Sequence, residues 1–221
     1  MIIDRIRFLC ATLVAATLCA CAAQPTGQAA MPSPGGGAQN LNENPVGFAG
    51  TNLVKDPSFE KPVTAPGGFL VFSTGQTFSK WSVVGASGNI GIVSGTFSQN
   101  GFTFPAGCGH QWVDLTGLSQ SATGLAQTIA TVSGHSYTLK FSVGNVSNPN
   151  GIFGTTSTVK VSINGTAFLT ATNSRGHGQT TQVWKDFQKT FNAQATSTTI
   201  TFLNGDPSSD TNNGLDCISL S

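Results

Sequence analysis

Alternation with a period of two is the feature that most restricts this chain. Tyr137, Leu139, Phe141 and Val143 alternate with Thr138, Lys140 and Ser142, and Val159, Val161 and Ile163 alternate with Lys160 and Ser162. Successive side chains of a strand point to opposite faces, so each run is a strand with one face on a core and one on water. Asn164-Gly165 follows the second run and 168–171 resumes after it. Asn-Gly supplies the positive φ angles of a type I′ turn, which predicts a hairpin. Ser133-Gly134-His135 predicts a similar link between a strand at 125–130 and the Tyr137 strand. Further strands are expected at 69–73, 81–84, 90–93, 111–115, 183–191, 198–203 and 215–220, filled by Thr, Val, Phe and Ser and punctuated by Gly, Asn, Pro or Asp. No helical period longer than two turns is present. Many short strands with turn signals about every ten residues imply a sandwich or a barrel, and an all-β sandwich is the expectation.

The N-terminus is of another kind. Arg5 and Arg7 precede an apolar stretch from Phe8 to Leu18, which ends in Leu18-Cys19-Ala20-Cys21. A basic start, a short apolar run and a small-residue cleavage point make an export signal. The run is too short to cross a bilayer core of roughly 30 Å as a helix. The patch resembles the lipobox of bacterial lipoproteins, although Cys19 stands where that pattern usually has a small or β-branched residue. The resemblance implies a signal peptide over 1–20 and a mature chain beginning at an acylated Cys21. Ala22 lacks the acidic character associated with inner-membrane retention, so the outer membrane is the expected address. Residues 21–50 are rich in Pro, Gly, Ala, Gln and Asn, cannot offset their ordering entropy by burial, and read as a tether. Residues 51–221 are then one domain, large enough for a proper core.

Charge narrows the partners. Only 9% of the chain is charged, and beyond residue 20 eight basic residues balance eight acidic ones. Nucleic-acid binders need a basic footprint, and none is visible. A surface of Gly, Ser, Thr and Asn suits neutral polar partners. After removal of the signal, and with Cys21 acylated, Cys108 and Cys217 are left. In an oxidising compartment they are compatible with one disulfide or with two separate buried thiols. Cys108 and His110 are close in sequence, but no second pair shows zinc-ligand spacing.

Several landmarks occur in a familiar order. Asn52-Leu53-Val54-Lys55-Asp56-Pro57-Ser58-Phe59-Glu60 is followed by Trp81-Ser82-Val83 and by Gln111-Trp112-Val113-Asp114-Leu115-Thr116-Gly117. Then come Ala126-Gln127-Thr128-Ile129, the Tyr137–Asn145 stretch, Trp184, and Gly214-Leu215-Asp216-Cys217-Ile218-Ser219-Leu220. From Asn52 to Leu220 the chain resembles galactose-binding-like domains, in particular domain of unknown function six-four-two and its choice-of-anchor C relatives. Cys217 and the Lys55-Asp56-Pro57 step depart from the usual pattern.

The resemblance implies a jelly-roll sandwich of two antiparallel sheets and, as related sugar-binding modules often have, one structural calcium ion where the first and last strands meet. Transferred here, its carboxylates are Glu60 and Asp216, oxygen ligands of the type a hard cation wants. The alternative is that both merely cap loops or pair with Lys side chains. It also implies a non-catalytic carbohydrate-binding module on a lipid anchor, taking cell-wall or extracellular polysaccharide. A surface adhesion or protein-interaction module without sugar specificity is the alternative reading.

Sugar sites combine aromatic platforms with a few placed polar groups, and this chain has three Trp and one Tyr. Val113 and Leu115 share one strand face, so Trp112 and Asp114 point the other way. That makes Trp112 the candidate platform, with Asp114 and His110 as hydroxyl partners, unless a loop covers it. Trp81 and Trp184 match family positions that look like core, and Tyr137 reads as structural with its hydroxyl at the rim. Asn145 matches the family's Gly-Asn pair. Arg175, in the loop with His177, is a candidate contact for a uronic acid, whereas His135 and His177 read as solvated. No G-x-S-x-G, H-E-x-x-H or phosphate-loop motif is present, and Asp114 with Asp186 is the one carboxylate pair left for glycoside hydrolysis. The expectation is no catalysis.

Overall fold

The computed structural model describes residues 51–147 and 153–221. Cys21, the signal peptide and the tether lie outside the described residues.

Fourteen strands follow one another among the described residues: β1 (Phe69–Ser73), β2 (Thr77–Phe78), β3 (Trp81–Gly85), β4 (Asn89–Ser94), β5 (Ser98–Gln99), β6 (Phe102–Thr103), β7 (Gln111–Asp114), β8 (Thr123–Ala130), β9 (Ser136–Asn145), β10 (Ser157–Ile163), β11 (Thr166–Asn173), β12 (Val183–Asn192), β13 (Ser197–Asn204) and β14 (Gly214–Leu220). One antiparallel sheet has the order β1-β4-β7-β14-β9-β12 and the other β11-β10-β13-β8-β3-β2. Together they form the jelly-roll sandwich that the alternation and the resemblance imply. β5 and β6 make a separate small hairpin.

The inward parity of each strand builds the core. Leu139, Phe141 and Val143 of β9 meet Val159 and Val161 of β10, Ile200 and Phe202 of β13, and Leu215, Ile218 and Leu220 of β14. Trp81 lies among them, as expected, and its Nε1 donates to the carbonyl of Asp56 at 3.0 Å. Asn164 and Gly165 have φ of 50° and 78° and close the β10–β11 hairpin between Ile163 and Thr166, the predicted I′ chemistry.

The Ser133-Gly134-His135 link is different. β8 and β9 lie in different sheets, so it is a crossing between layers, not a hairpin. Gly134 N donates to Ala193 O, and Ala193 N to His135 O, which ties the crossing to the end of β12. Its turn residues reverse the chain without specifying which strand pairs with which. Tyr137 is structural, its hydroxyl accepting from Val132 N at 2.9 Å.

The two ends of the domain are joined by Asn52. Its Nδ2 donates to Ile218 O, while its Oδ1 accepts from Leu220 N and Val54 N. β14 thereby sits centrally, between β7 and β9.

Candidate functional site

The outward parity of β9, β12 and β14 forms a grid three strands wide. In the strand registers, Trp184 lies beside Gly144 and Gly214, Asp186 beside Ser142 and Asp216, and Gln188 beside Lys140 and Ser219. Successive rows are about 7 Å apart, two strand residues at about 3.4 Å each. A groove of about 800 Å³ lies over this grid, with Gly107, Cys108 and Cys217 along one wall.

Each row is built by local chemistry. Gly144 and Gly214 leave room for the Trp184 indole: a Cβ on Gly144 would lie 2.9 Å from its Cη2, and one on Gly214 3.1 Å. Nε1 of Trp184 donates to Pro105 O at 2.9 Å, so the half-buried ring is anchored at one edge and lines the groove with the rest. Phe187, on the opposite parity, stacks on Phe141 with centroids 5.8 Å apart. In the second row, Ser142 Oγ donates to Asp186 Oδ1 at 2.6 Å. β14 carries one extra residue between Asp216 and Ser219 relative to β9, a bulge at which Cys217 adopts a φ of 55°. The bulge turns Cys217 outward, where it bonds Cys108 across a Cα–Cα distance of 5.4 Å. Of the two readings of these cysteines, the disulfide holds.

Asp216 lies beneath that wall and is fully buried. Its Oδ2 accepts from Gly107 N and Cys108 N at 2.9 and 2.8 Å, and its Oδ1 from Cys217 N at 2.7 Å. Burial pushes its pKa up to about 7, with the Glu60 charge adding to the rise and the three backbone bonds opposing it. Glu60 Oε1 accepts from His110 N and Gln111 N at 2.8 and 3.1 Å. Both carboxylates therefore cap the 107–111 loop, the alternative role foreseen for them. A calcium shell needs six to eight oxygens, whereas three of these four oxygens face N–H donors, the surroundings of an anion. The pair does not fit a bound cation.

The remaining candidates are dispersed. Trp112 does point away from Val113 and Leu115, but it is only 2% exposed. It belongs to a second apolar cluster with Val93, Phe102, Phe104, Val146 and Phe153, which roofs that part of the sheet. Its ring stacks on Phe104, and its Nε1 donates to Phe104 O at 3.0 Å. The platform reading of Trp112 is thus corrected: the strand's outer face is dry because Phe102, Phe104 and Phe153, from segments on either side in the chain, cover it. Asp114 Oδ1 accepts from Thr116 N, Thr116 Oγ1 and Asn213 N, and burial raises its pKa to about 6 against those bonds. It organises a turn. Asn145 is fully buried between Ser157 Oγ and Gly176 N, so it binds the fold and no ligand. His110 and Arg175 are exposed, and neither lines the groove. His135 and His177 are exposed as expected.

Sequence reasoning names Asp186 only for hydrolysis and Asp216 only as a cation ligand, and it misses the other grid residues because Trp184 looks like core. Parity could have found them: Phe187 and Phe191 mark the inner face of β12, which puts Trp184, Asp186 and Gln188 outside. The same rule puts Lys140 and Ser142 outside β9.

Fold and site together define a jelly-roll domain with a groove on the outer face of one sheet. The chain belongs to the family described as protein of unknown function (DUF642), whose model matches residues 52–217. No curated protein matches it. Among solved structures it is similar to a cyclase from Fischerella sp. TAU in complex with 4-(1H-indol-3-yl)butan-2-one, at 18% identity over 78% of this chain and 97% of that one, with a TM-score of 0.52. That likeness concerns the fold alone. A family 35 carbohydrate binding module from Clostridium thermocellum aligns at 14% identity over 69% of this chain and 97% of its own, with a TM-score of 0.41. The CBM35 from Paenibacillus barcinonensis aligns at 13% identity over 69% and 98%, with a TM-score of 0.37.

Proposed function

We propose that this domain is a non-catalytic carbohydrate-binding module and that its site is the groove over β9, β12 and β14. The observation that carries this reading is the half-buried Trp184, anchored at one edge, in register with rows of polar side chains that line the same groove. An indole face packs against the C–H surface of a sugar ring, while Asp186, Gln188, Lys140 and Ser219 offer acceptors and donors to its hydroxyls. Glycoside hydrolysis requires two carboxyls flanking the bond. Asp186 lines the groove, but Asp216 is buried with its oxygens met by N–H groups and Asp114 is engaged in its turn. The test is a glycan array probed with the wild-type chain and with Trp184→Ala. Binding that disappears in the variant, with the melting temperature kept, supports the site. Binding unchanged by the substitution, or none to any glycan, removes it.

We also propose, on the lipobox-like Leu18-Cys19-Ala20-Cys21, that acyl chains on Cys21 hold the domain at the cell envelope, in the outer membrane. Incorporation of labelled fatty acid into the wild-type chain but not into Cys21→Ser, with fractionation of the envelope, tests this. A protein partner is the second reading. It is favoured by the edge strand β1, where Phe69, Leu70 and Val71 are each at least 36% exposed.

A further inference from the structure

We propose that the groove selects saccharides that carry a carboxylate, uronate units, and that Lys140 is the cation that meets it. The inference rests on the carbohydrate reading of the groove and adds the chemical class of the ligand. Lys140 is exposed and lines the groove, and among the described residues its ammonium has neither a hydrogen bond nor an ion pair. The lysines of the neighbouring strand are already engaged elsewhere. Lys185 Nζ donates to Thr172 O and lies over the Phe187 ring, and Lys189 Nζ donates to Phe168 O and lies over the Phe168 ring.

Lys140 also stands in a row of donors. Gln188 and Ser219 flank it in register, so an ammonium, an amide N–H₂ and a hydroxyl face the same stretch of groove. Such a set suits a carboxylate, because charge-assisted bonds from several donors are the strong ones. The acid of the groove is kept one row away: Asp186 is tied to Ser142 on the side nearer Trp184. The groove is therefore polarised, with an acceptor for sugar hydroxyls beside the indole and donors for an anion beyond it. Asp216 does not reverse this polarity, since it is buried and its carboxylate faces three N–H groups. Arg175, the residue expected to meet a uronic acid, lies outside the groove.

The experiment is calorimetry of the full chain with oligomers of glucuronate and of galacturonate, and with their carboxyl-reduced neutral counterparts. The acidic oligomers should bind about tenfold tighter than the reduced ones, and added salt should erode only that difference. Lys140→Gln should abolish the preference, bringing the acidic oligomers to the affinity of the neutral ones, and Lys140→Arg should restore it. Equal affinity for acidic and reduced oligomers, or a preference that survives Lys140→Gln, overturns the selectivity. In that case loss of all binding in Trp184→Ala still upholds the groove. Absence of binding to every oligomer overturns the selectivity, and absence of binding to every glycan of the array removes the groove as well.

Discussion

The hydroxyl of Ser142 donates to Oδ1 of Asp186 at 2.6 Å across the β9–β12 pair, and Ser142 itself is buried. The bond holds an exposed carboxylate in one orientation above the groove. Ser142→Ala should leave Asp186 with its charge but without its fixed rotamer. A bond to a charged group contributes about 1.5–3 kcal/mol to folding, so the melting temperature should fall modestly, and glycan affinity should fall as well because the carboxylate is no longer held in place. Calorimetry beside a thermal scan separates the two effects.

Gly144 supports the indole from below. A Cβ there would lie 2.8 Å from Gln182 Cδ and 2.9 Å from Trp184 Cη2. Gly144→Ala should push Trp184 out of its seat, shift the tryptophan emission and weaken binding. Trp112→Ala should behave in the opposite way, losing about 3–5 kcal/mol of stability as a buried aromatic does while its effect on affinity follows only from unfolding. An Ala at 144 that left both emission and affinity untouched would argue against Trp184 as the platform.

The Cys108–Cys217 disulfide closes a separation of 109 residues. Chain-entropy reasoning for a loop of this size gives about 4.7 kcal/mol. Reductant, or the paired substitution of both cysteines by Ser, should lower the denaturant midpoint accordingly. It should also loosen the groove wall, so affinity should fall even at temperatures where the domain stays folded.

Three carboxyls predict the direction of the pH dependence: Asp216, which is buried, and Asp114 and Asp206, which are half-buried, Asp206 accepting from Thr158 N. Burial is the leading cause for each: Asp114 is raised to about 6, and Asp206 and Asp216 to about 7, from 3.8. Between pH 4 and 7 the folded state then holds more protons than the unfolded chain, so stability falls as pH rises through this window. Their favourable contribution is complete below about pH 4 and gone above about pH 7. The melting temperature should be higher at pH 5 than at pH 8. The reverse order would show that the backbone donors around Asp216 and Asp114 outweigh their burial.

Glu60 and Asp216 make a further prediction because N–H groups face three of their four oxygens. A ligand bound only to the native state must stabilise it, so a chelator should leave the melting temperature where it was. A drop restored by calcium would place a cation on other oxygens of this fold.

How far the amino-acid order reaches can be judged from particular residues. Alternation in β9 and β10, and the Asn164-Gly165 turn between β10 and β11, were legible because strand parity and turn dihedrals are set within a few residues. The same parity said correctly that Trp112 turns away from Val113. It could not say that Phe104 and Phe153, from segments either side in the chain, would cover that face. Ser133-Gly134-His135 likewise announced a reversal, but only the packing of two sheets decided that the chain changes layer there.

Local patterning alone therefore settled that this chain makes strands and which side of each is apolar. Tertiary structure decided which outer faces stay open. It roofed Trp112, exposed part of Trp184, and brought Asp186, Ser142 and Asp216 side by side from three strands. It also turned Glu60 and Asp216 from a ligand pair into caps of one loop. The physical reason is range: parity and turn chemistry act between neighbours in sequence, whereas burial, a raised pKa and a groove depend on atoms that folding brings in from a hundred residues away.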